Sequence, residues 1–163
     1  MRTADERIVV QRRSESVFEY PGFFHVCGGN VEPADVAGAD APGVFASARR
    51  ELDEELGIGA GAITELTCLG LAENAETFKP ELLTVVDVDL SADDFASANH
   101  AEYSQLVFID ADADALGWFL DENCGTIAPG GLACLLNVGL RQFGAAWSAK
   151  ILESLDRNAQ QRR

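Results

Sequence analysis

Scarcities in this chain limit its function before any motif is read. Of its 163 residues, two are lysine (Lys79 and Lys150), two are histidine (His25 and His100) and one is methionine. Basic residues total 12 against 27 acidic ones, for a formal charge of −15. A surface of that sign repels polynucleotide backbones and anionic lipid, so neither nucleic acid nor a membrane is an expected partner. It also repels small phosphorylated substrates unless a metal ion neutralises the place where they bind. No apolar run approaches the roughly 20 residues of a membrane span. The opening Met-Arg-Thr-Ala-Asp-Glu-Arg lacks an apolar signal region, and a cytoplasmic location is the expectation. The four cysteines, Cys27, Cys68, Cys124 and Cys134, form no CxxC and follow no regular spacing. They read as reduced, buried thiols rather than as a disulfide framework or a zinc site.

What is present supports a globular α/β (α+β) protein. Hydrophobic residues make up 47% of the chain, enough for a core. Residues 1–144 are expected to form one domain, followed by a C-terminal helix and frayed tail over 145–163. The β-branched run at 7–12 reads as a strand, 14–22 as a turn-rich connection through Tyr20-Pro21-Gly22, and 23–26 as a short strand. Residues 33–43, rich in Ala, Gly, Asp and Pro, read as a loop. Strands are expected over 66–72, 82–90 and 105–109. Helices are expected over 44–56, 112–120 and 131–143, with a short one opening at Ser91. Trp147, Ile151 and Leu155 share one helical face, for docking on the domain or for a homodimer contact.

The helix over 44–56 holds the strongest chemical signal. Phe45, Ala48, Leu52 and Leu56 make an apolar stripe, and Gly57 suits a C-terminal stop. Opposite the stripe, Glu51, Glu54 and Glu55 stand at i, i+3 and i+4, where like charges repel by roughly 0.2–0.5 kcal/mol per pair. Carboxylates gathered at that cost are expected to bind a cation. Hard oxygen donors on one turn suit Mg²⁺, which takes carboxylates, carbonyls, waters and substrate phosphates. Upstream, Gly28-Gly29 lets a backbone carbonyl approach the same ion.

Gly28-Gly29-Asn-Val-Glu32, followed after a loop by Arg50-Glu-Leu-Asp-Glu-Glu-Leu-Gly-Ile58, resembles the Nudix box. That box is a loop–helix–loop whose helix carries Arg-Glu-apolar-x-Glu-Glu-x-Gly-apolar, and all seven specified positions match. Arg12 after the first strand fits too, so the resemblance spans about residues 7–143. It implies a Nudix-type α/β/α sandwich with a mixed sheet, and divalent-metal-dependent hydrolysis of a nucleoside diphosphate linked to another moiety. The metal, Mg²⁺ with Mn²⁺ as the alternative, would be held by Glu51, Glu54, Glu55 and the Gly28 carbonyl. Arg50 would orient the glutamates through Glu54. The base that activates water would be Glu51 or Glu102, with His100 as a further candidate.

One departure stands out. The box usually places a glutamate six residues after the glycine and seven residues before the arginine. Here that count lands on Asp35, with fourteen residues before Arg50. The loop is enlarged by seven residues, and either Asp35 substitutes for the glutamate or the position is unused. A finer likeness, through residues 13–22, the enlarged loop, Leu69-Gly-Leu-Ala72 and Ala128-Pro-Gly-Gly131, is to the subgroup that hydrolyses UDP-glucose and UDP-galactose. The products would be UMP and a sugar 1-phosphate. Arg12, Arg13 and Lys79 would meet phosphate or ribose oxygens, and Tyr103 or Phe78 would stack on the base. The alternatives are ADP-ribose or another nucleotide as substrate, or a non-catalytic nucleotide-binding module. The domain usually has strand material before residue 8, so a shortened N-terminus, or cover of that sheet edge by another segment or subunit, is also expected.

Overall fold

Ile8, Val9 and Val10 are β-branched residues that sit well on a pleated surface, and they form the centre of strand β1 (Arg7–Arg13). All three are almost fully buried, so the strand is covered on both faces. β1 pairs antiparallel with β2 (Phe24–His25) on one side and with β5 (Tyr103–Asp110) on the other. A second antiparallel ladder joins β3 (Ile63–Glu73) to β4 (Pro80–Val88). The computed structural model describes residues 1–36, 43–75, 77–95 and 101–161. His100 and residues 37–42 of the enlarged loop fall outside that set.

Residues 1–4 join the two ladders. Arg2 pairs parallel with Asp87 on β4 and antiparallel with Ile8 on β1. Its N–H donates to the Val86 carbonyl at 2.8 Å, and its carbonyl accepts from Val88 at 3.0 Å. The edge that the sequence reading left open is therefore occupied by the chain's own first residues, and they make the sheet mixed. The Arg2 guanidinium fastens the join with two bonds to the Asp87 carboxylate, at 3.0 and 2.7 Å.

Among the described residues there are five α-helices: α1 (Pro33–Val36), α2 (Gly43–Leu56), α3 (Ala113–Asn123), α4 (Pro129–Phe143) and α5 (Ala145–Gln161). On one face Ile8 and Val10 of β1 pack with Leu116, Phe119 and Leu120 of α3, Leu135 of α4 and Ile151 of α5. On the other, Leu52 and Leu56 of α2 pack with Val86 and Val88 of β4 and with Tyr103. The result is an α/β/α sandwich. Burying each such side chain stabilises the fold by roughly 1.5–3 kcal/mol.

α5 docks through the face read from its spacing: Trp147 lies over Gly139 and donates its indole N–H to the Ala113 carbonyl at 2.9 Å, and Ile151 is buried. A Cβ on Gly139 would overlap the indole ring, so a side chain there would push α5 off. The helix continues to Gln161, beyond the expected start of fraying at 158.

Two other expectations need correcting. Residues 33–36 are helical rather than loop, because Asp35 turns back to accept the Glu32 N–H at 2.8 Å. The cysteines are all free, but while Cys134 is buried, Cys27 and Cys124 are partly buried and Cys68 is exposed. Cys68 sits where β3 shifts register against β4, and that irregularity turns the side chain outward.

Candidate active site

α2 presents its glutamates because its opposite stripe is committed to the core. Leu52 and Leu56 face inward, which leaves Arg50, Asp53 and Glu54 outward. The helix ends at Gly57, whose φ of +69° is a left-handed conformation that glycine adopts without cost. Its N–H bonds to the Asp53 carbonyl at 2.9 Å. The helix therefore stops at its last apolar anchor, Leu56.

Arg50 is the hub. Its Nη1 bridges the Glu51 and Glu54 carboxylates, each at 2.9 Å. Its Nε and Nη2 grip Asp35 from the side at 3.2 and 3.3 Å, and Nη2 also donates to the Asn30 carbonyl at 3.0 Å. Four partners on one planar guanidinium fix its orientation. The Asp35 hydrogen bond, more than any other contact, raises the Arg50 pKa, and the guanidinium in turn holds the Asp35 carboxyl below its ordinary range. This answers the question the sequence left about Asp35. It anchors Arg50, and through it the double-glycine loop, to the start of the glutamate turn.

The glutamates share a helix turn but do not converge. Glu51 lies beside the loop, so close that a Cβ on Gly29 would overlap its carboxylate. Gly28 has open space at the same position. Glu54 is exposed. Glu55 is buried and turns inward, where its Oε2 accepts from the Gln11 amide at 2.7 Å. Among the described residues no three carboxylate, imidazole or thiol side chains gather closely enough to hold a metal ion. The carboxylates repel one another, and each has taken the nearest donor: Arg50 for two of them, Gln11 for the third.

The local field is nevertheless negative. Burial raises the Glu51 carboxyl above its ordinary value, and Glu55 and Glu54 add to the shift while Arg50 opposes it. Burial likewise pushes the Cys27 thiol well up, helped by the charge of Glu55, with which it is hydrogen-bonded. By chemistry these are hard oxygen donors of the kind a divalent cation takes, two of them, Glu51 and Glu54, near the double-glycine loop and the third, Glu55, turned away into the core.

The remaining candidate residues are spread over several places. Tyr103 is in the core, 6% exposed, and donates its hydroxyl to the Glu55 carbonyl at 3.4 Å. It supports the glutamate helix from beneath and shows no ring to solvent. Arg12 donates to the Gly22 carbonyl at 3.2 Å and lies over the Phe24 ring. Arg13 and Lys79 meet across a separate cavity: Arg13 donates to the Glu19 carbonyl at 2.9 Å and Lys79 pairs with the Glu19 carboxylate at 3.2 Å. Glu102 is exposed at the foot of β5, its carbonyl accepting from Ser14. Phe78 is exposed at the β3–β4 turn with a φ of +54°.

Sequence reasoning missed Gln11, Asn30 and Ser47. Ser47 donates to the Asn30 carbonyl at 3.1 Å and so ties α2 to the loop a second time. Gln11 left a trace: it follows three β-branched residues in a strand buried on both faces, where a polar side chain needs a partner.

Similar architectures are known among solved structures. The MutT protein from Methanosarcina mazei Go1 superimposes with a TM-score of 0.57 at 19% identity, covering 86% of this chain and 88% of that one. DR0079 from Deinococcus radiodurans gives 0.53 at 20% identity, over 83% and 75%. The E. coli ORF135 protein gives 0.51 at 20%, over 86% and 92%. All three are Nudix-type proteins. The chain has the Nudix fold. No family model and no curated protein matches the sequence. At that identity the likeness carries the architecture, and the chemistry must be argued from the side chains.

Proposed function

We propose that this Nudix-fold protein is a divalent-metal-dependent pyrophosphohydrolase acting on a nucleoside diphosphate linked to a sugar, with a UDP-hexose as the preferred class. The observation that carries the reading is the contact between Gly29 and the Glu51 carboxylate. It seats the glutamate turn of α2 against the double-glycine loop, and Arg50 and Asp35 lock the two together. A stretch of charged helix serving only as a solvated face has no need of that close approach.

In the reaction a water oxygen attacks one phosphorus of the diphosphate and the bridging P–O bond breaks. UMP and hexose 1-phosphate leave, and the proton lost from water passes to a base. Glu51, Glu54, Glu55 and the Gly28 carbonyl would hold Mg²⁺, which would supply positive charge to the phosphoryl oxygens and make the attacking water easier to deprotonate. Arg50 keeps Glu51 and Glu54 in place and stays off the substrate. Glu51 and Glu102 are the candidate bases.

The test is incubation with Mg²⁺ and a panel of UDP-glucose, ADP-ribose, NADH, coenzyme A and deoxynucleoside triphosphates, with the products resolved by chromatography. UMP and glucose 1-phosphate are expected as the main products. Turnover of ADP-ribose alone would remove the UDP-sugar assignment and keep the class. No turnover of any member would leave a nucleotide-binding module, a reading favoured by the inward turn of Glu55. That module predicts nucleotide-induced stabilisation insensitive to Glu55→Gln.

A further inference from the structure

We propose that the cavity between β2, the start of α4 and the β3–β4 turn binds the neutral hexose of the substrate, with His25 as the hydroxyl acceptor that sets this specificity. The proposal rests on the UDP-sugar reading above and adds the site of sugar recognition. The cavity has a volume of about 190 Å³ and is separate from the glutamate turn.

His25 supplies the first argument. Its Nδ1 lies 2.7 Å from the Val26 carbonyl, an atom that only accepts, so the ring proton is on Nδ1. Burial pushes the imidazole pKa below its ordinary value and, with Arg13 and Lys79 acting the same way, outweighs the opposing Val26 hydrogen bond and Glu19 charge, which favours the neutral ring. Nε2 is then a bare lone pair on a residue that lines the cavity, and it makes no hydrogen bond among the described residues. It can accept a hydrogen bond from a ligand hydroxyl.

Charge supplies the second. Arg13 and Lys79 contribute two positive charges to the lining and Glu19 and Glu81 two negative ones, so the wall is neutral overall. Both cations are already held by Glu19. A phosphate dianion would find no net attraction there and would offer no proton to the carboxylates or to Nε2. Hexose hydroxyls donate and accept, and they suit a wall of carboxylates, an imidazole lone pair and the amide of Asn74.

The Gly130-Gly131 pair supplies the third. A Cβ on Gly130 would overlap the Glu81 carboxylate, and one on Gly131 would stand 3.1 Å from the His25 Cα. Two glycines let the first turn of α4 close against β2 and keep Glu81 at the cavity wall. Reach agrees as well. His25 precedes Gly29 by four residues, so the two lie within roughly 14 Å, a span that one nucleotide sugar bridges.

Calorimetric titration with UDP-glucose and with UDP tests this, on the wild type and on His25→Phe, His25→Gln and Glu81→Gln, with folding of each variant confirmed by its Tm. The wild type should bind UDP-glucose more tightly than UDP. His25→Phe should weaken UDP-glucose about tenfold, the cost of leaving a hydroxyl unpaired, and leave UDP within about twofold. Glu81→Gln should act in the same direction, and His25→Gln, which restores an acceptor, should recover part of the loss. Equal weakening of UDP and UDP-glucose would assign the cavity to the base or phosphates and overturn the proposal. Unchanged affinity in both folded cavity variants, or equal wild-type affinities, would also overturn it. The underlying reading fails separately, by discriminating binding without hydrolysis of UDP-glucose.

Discussion

The glutamate turn and the cavity beside β2 are built in opposite ways. The turn is one contiguous stretch of helix, bears a surplus of negative charge and is organised by a single arginine. The cavity is assembled from five separate stretches, is neutral overall and is organised by packing around two glycines. A charged cluster of the first kind suits chemistry common to many substrates. A neutral, shape-defined pocket of the second kind suits the choice among them, because hydrogen-bond matching discriminates where charge does not.

The largest effect should come from the turn. Glu54→Gln removes a carboxylate from an exposed position, so Tm should barely move while kcat/KM falls on the order of 10²–10³-fold, the several kcal/mol a metal supplies to the transition state. A fall of less than threefold in a steady-state assay would take Glu54 out of the machinery. Next is Gly29→Ala, whose methyl would displace the Glu51 carboxylate; activity should drop roughly 10- to 100-fold, as for lost supporting contacts at a metal site. Gly28→Ala, with open space around it, should cost far less, and a larger loss at Gly28 than at Gly29 would break this account of the loop. Asp35→Asn should lower activity by about tenfold and make it more sensitive to salt, since Arg50 would lose its firmest anchor. Cavity variants should change discrimination among substrates more than rate.

The smallest effect is one of stability. Glu51 has a raised pKa in the folded protein, so the fold binds more protons than the unfolded chain just above the ordinary carboxyl range. Stability is lost as pH rises through that window. Glu51→Gln should therefore raise Tm slightly at neutral pH, with the gain fading as pH falls toward 4.5, while activity is lost. Asp35 has the opposite sign: its pKa is lowered, and the stability it confers is lost as pH falls below about 3.8. A set of Tm measurements across pH 3–8 on Glu51→Gln and Asp35→Asn separates the two. Addition of Mg²⁺ should raise Tm in the wild type and not in Glu54→Gln.

Local patterns were legible because their physics is local. The stripe of Leu52 and Leu56, the stop at Gly57 and the β-branched run of β1 each depend on neighbours within a few residues, and the observed elements follow them closely. The helix at residues 33–36 was not legible, since the turn depends on an Asp35 side chain that Arg50, fifteen residues away, holds in place. The strand-like role of residues 1–4 needed β1 and β4 to be side by side. Tyr103 read as a ring for stacking because an aromatic near a strand end is ambiguous until burial is known. Lys79 and Arg13 read as partners of phosphate or ribose oxygens, and nothing local showed that both would also contact Glu19.

By itself, the sequence determined the glutamate turn, its capping glycine and the double-glycine loop, because helical period and glycine's lack of a side chain act within one segment. Only the tertiary structure decided that the carboxylates separate, with Glu55 buried against Gln11. It alone revealed that Asp35 holds Arg50 and that His25, its Nδ1 taken by the Val26 carbonyl, lines a neutral cavity. Those outcomes depend on which donors reach which acceptors across the fold, and sheet pairing and helix docking set those distances.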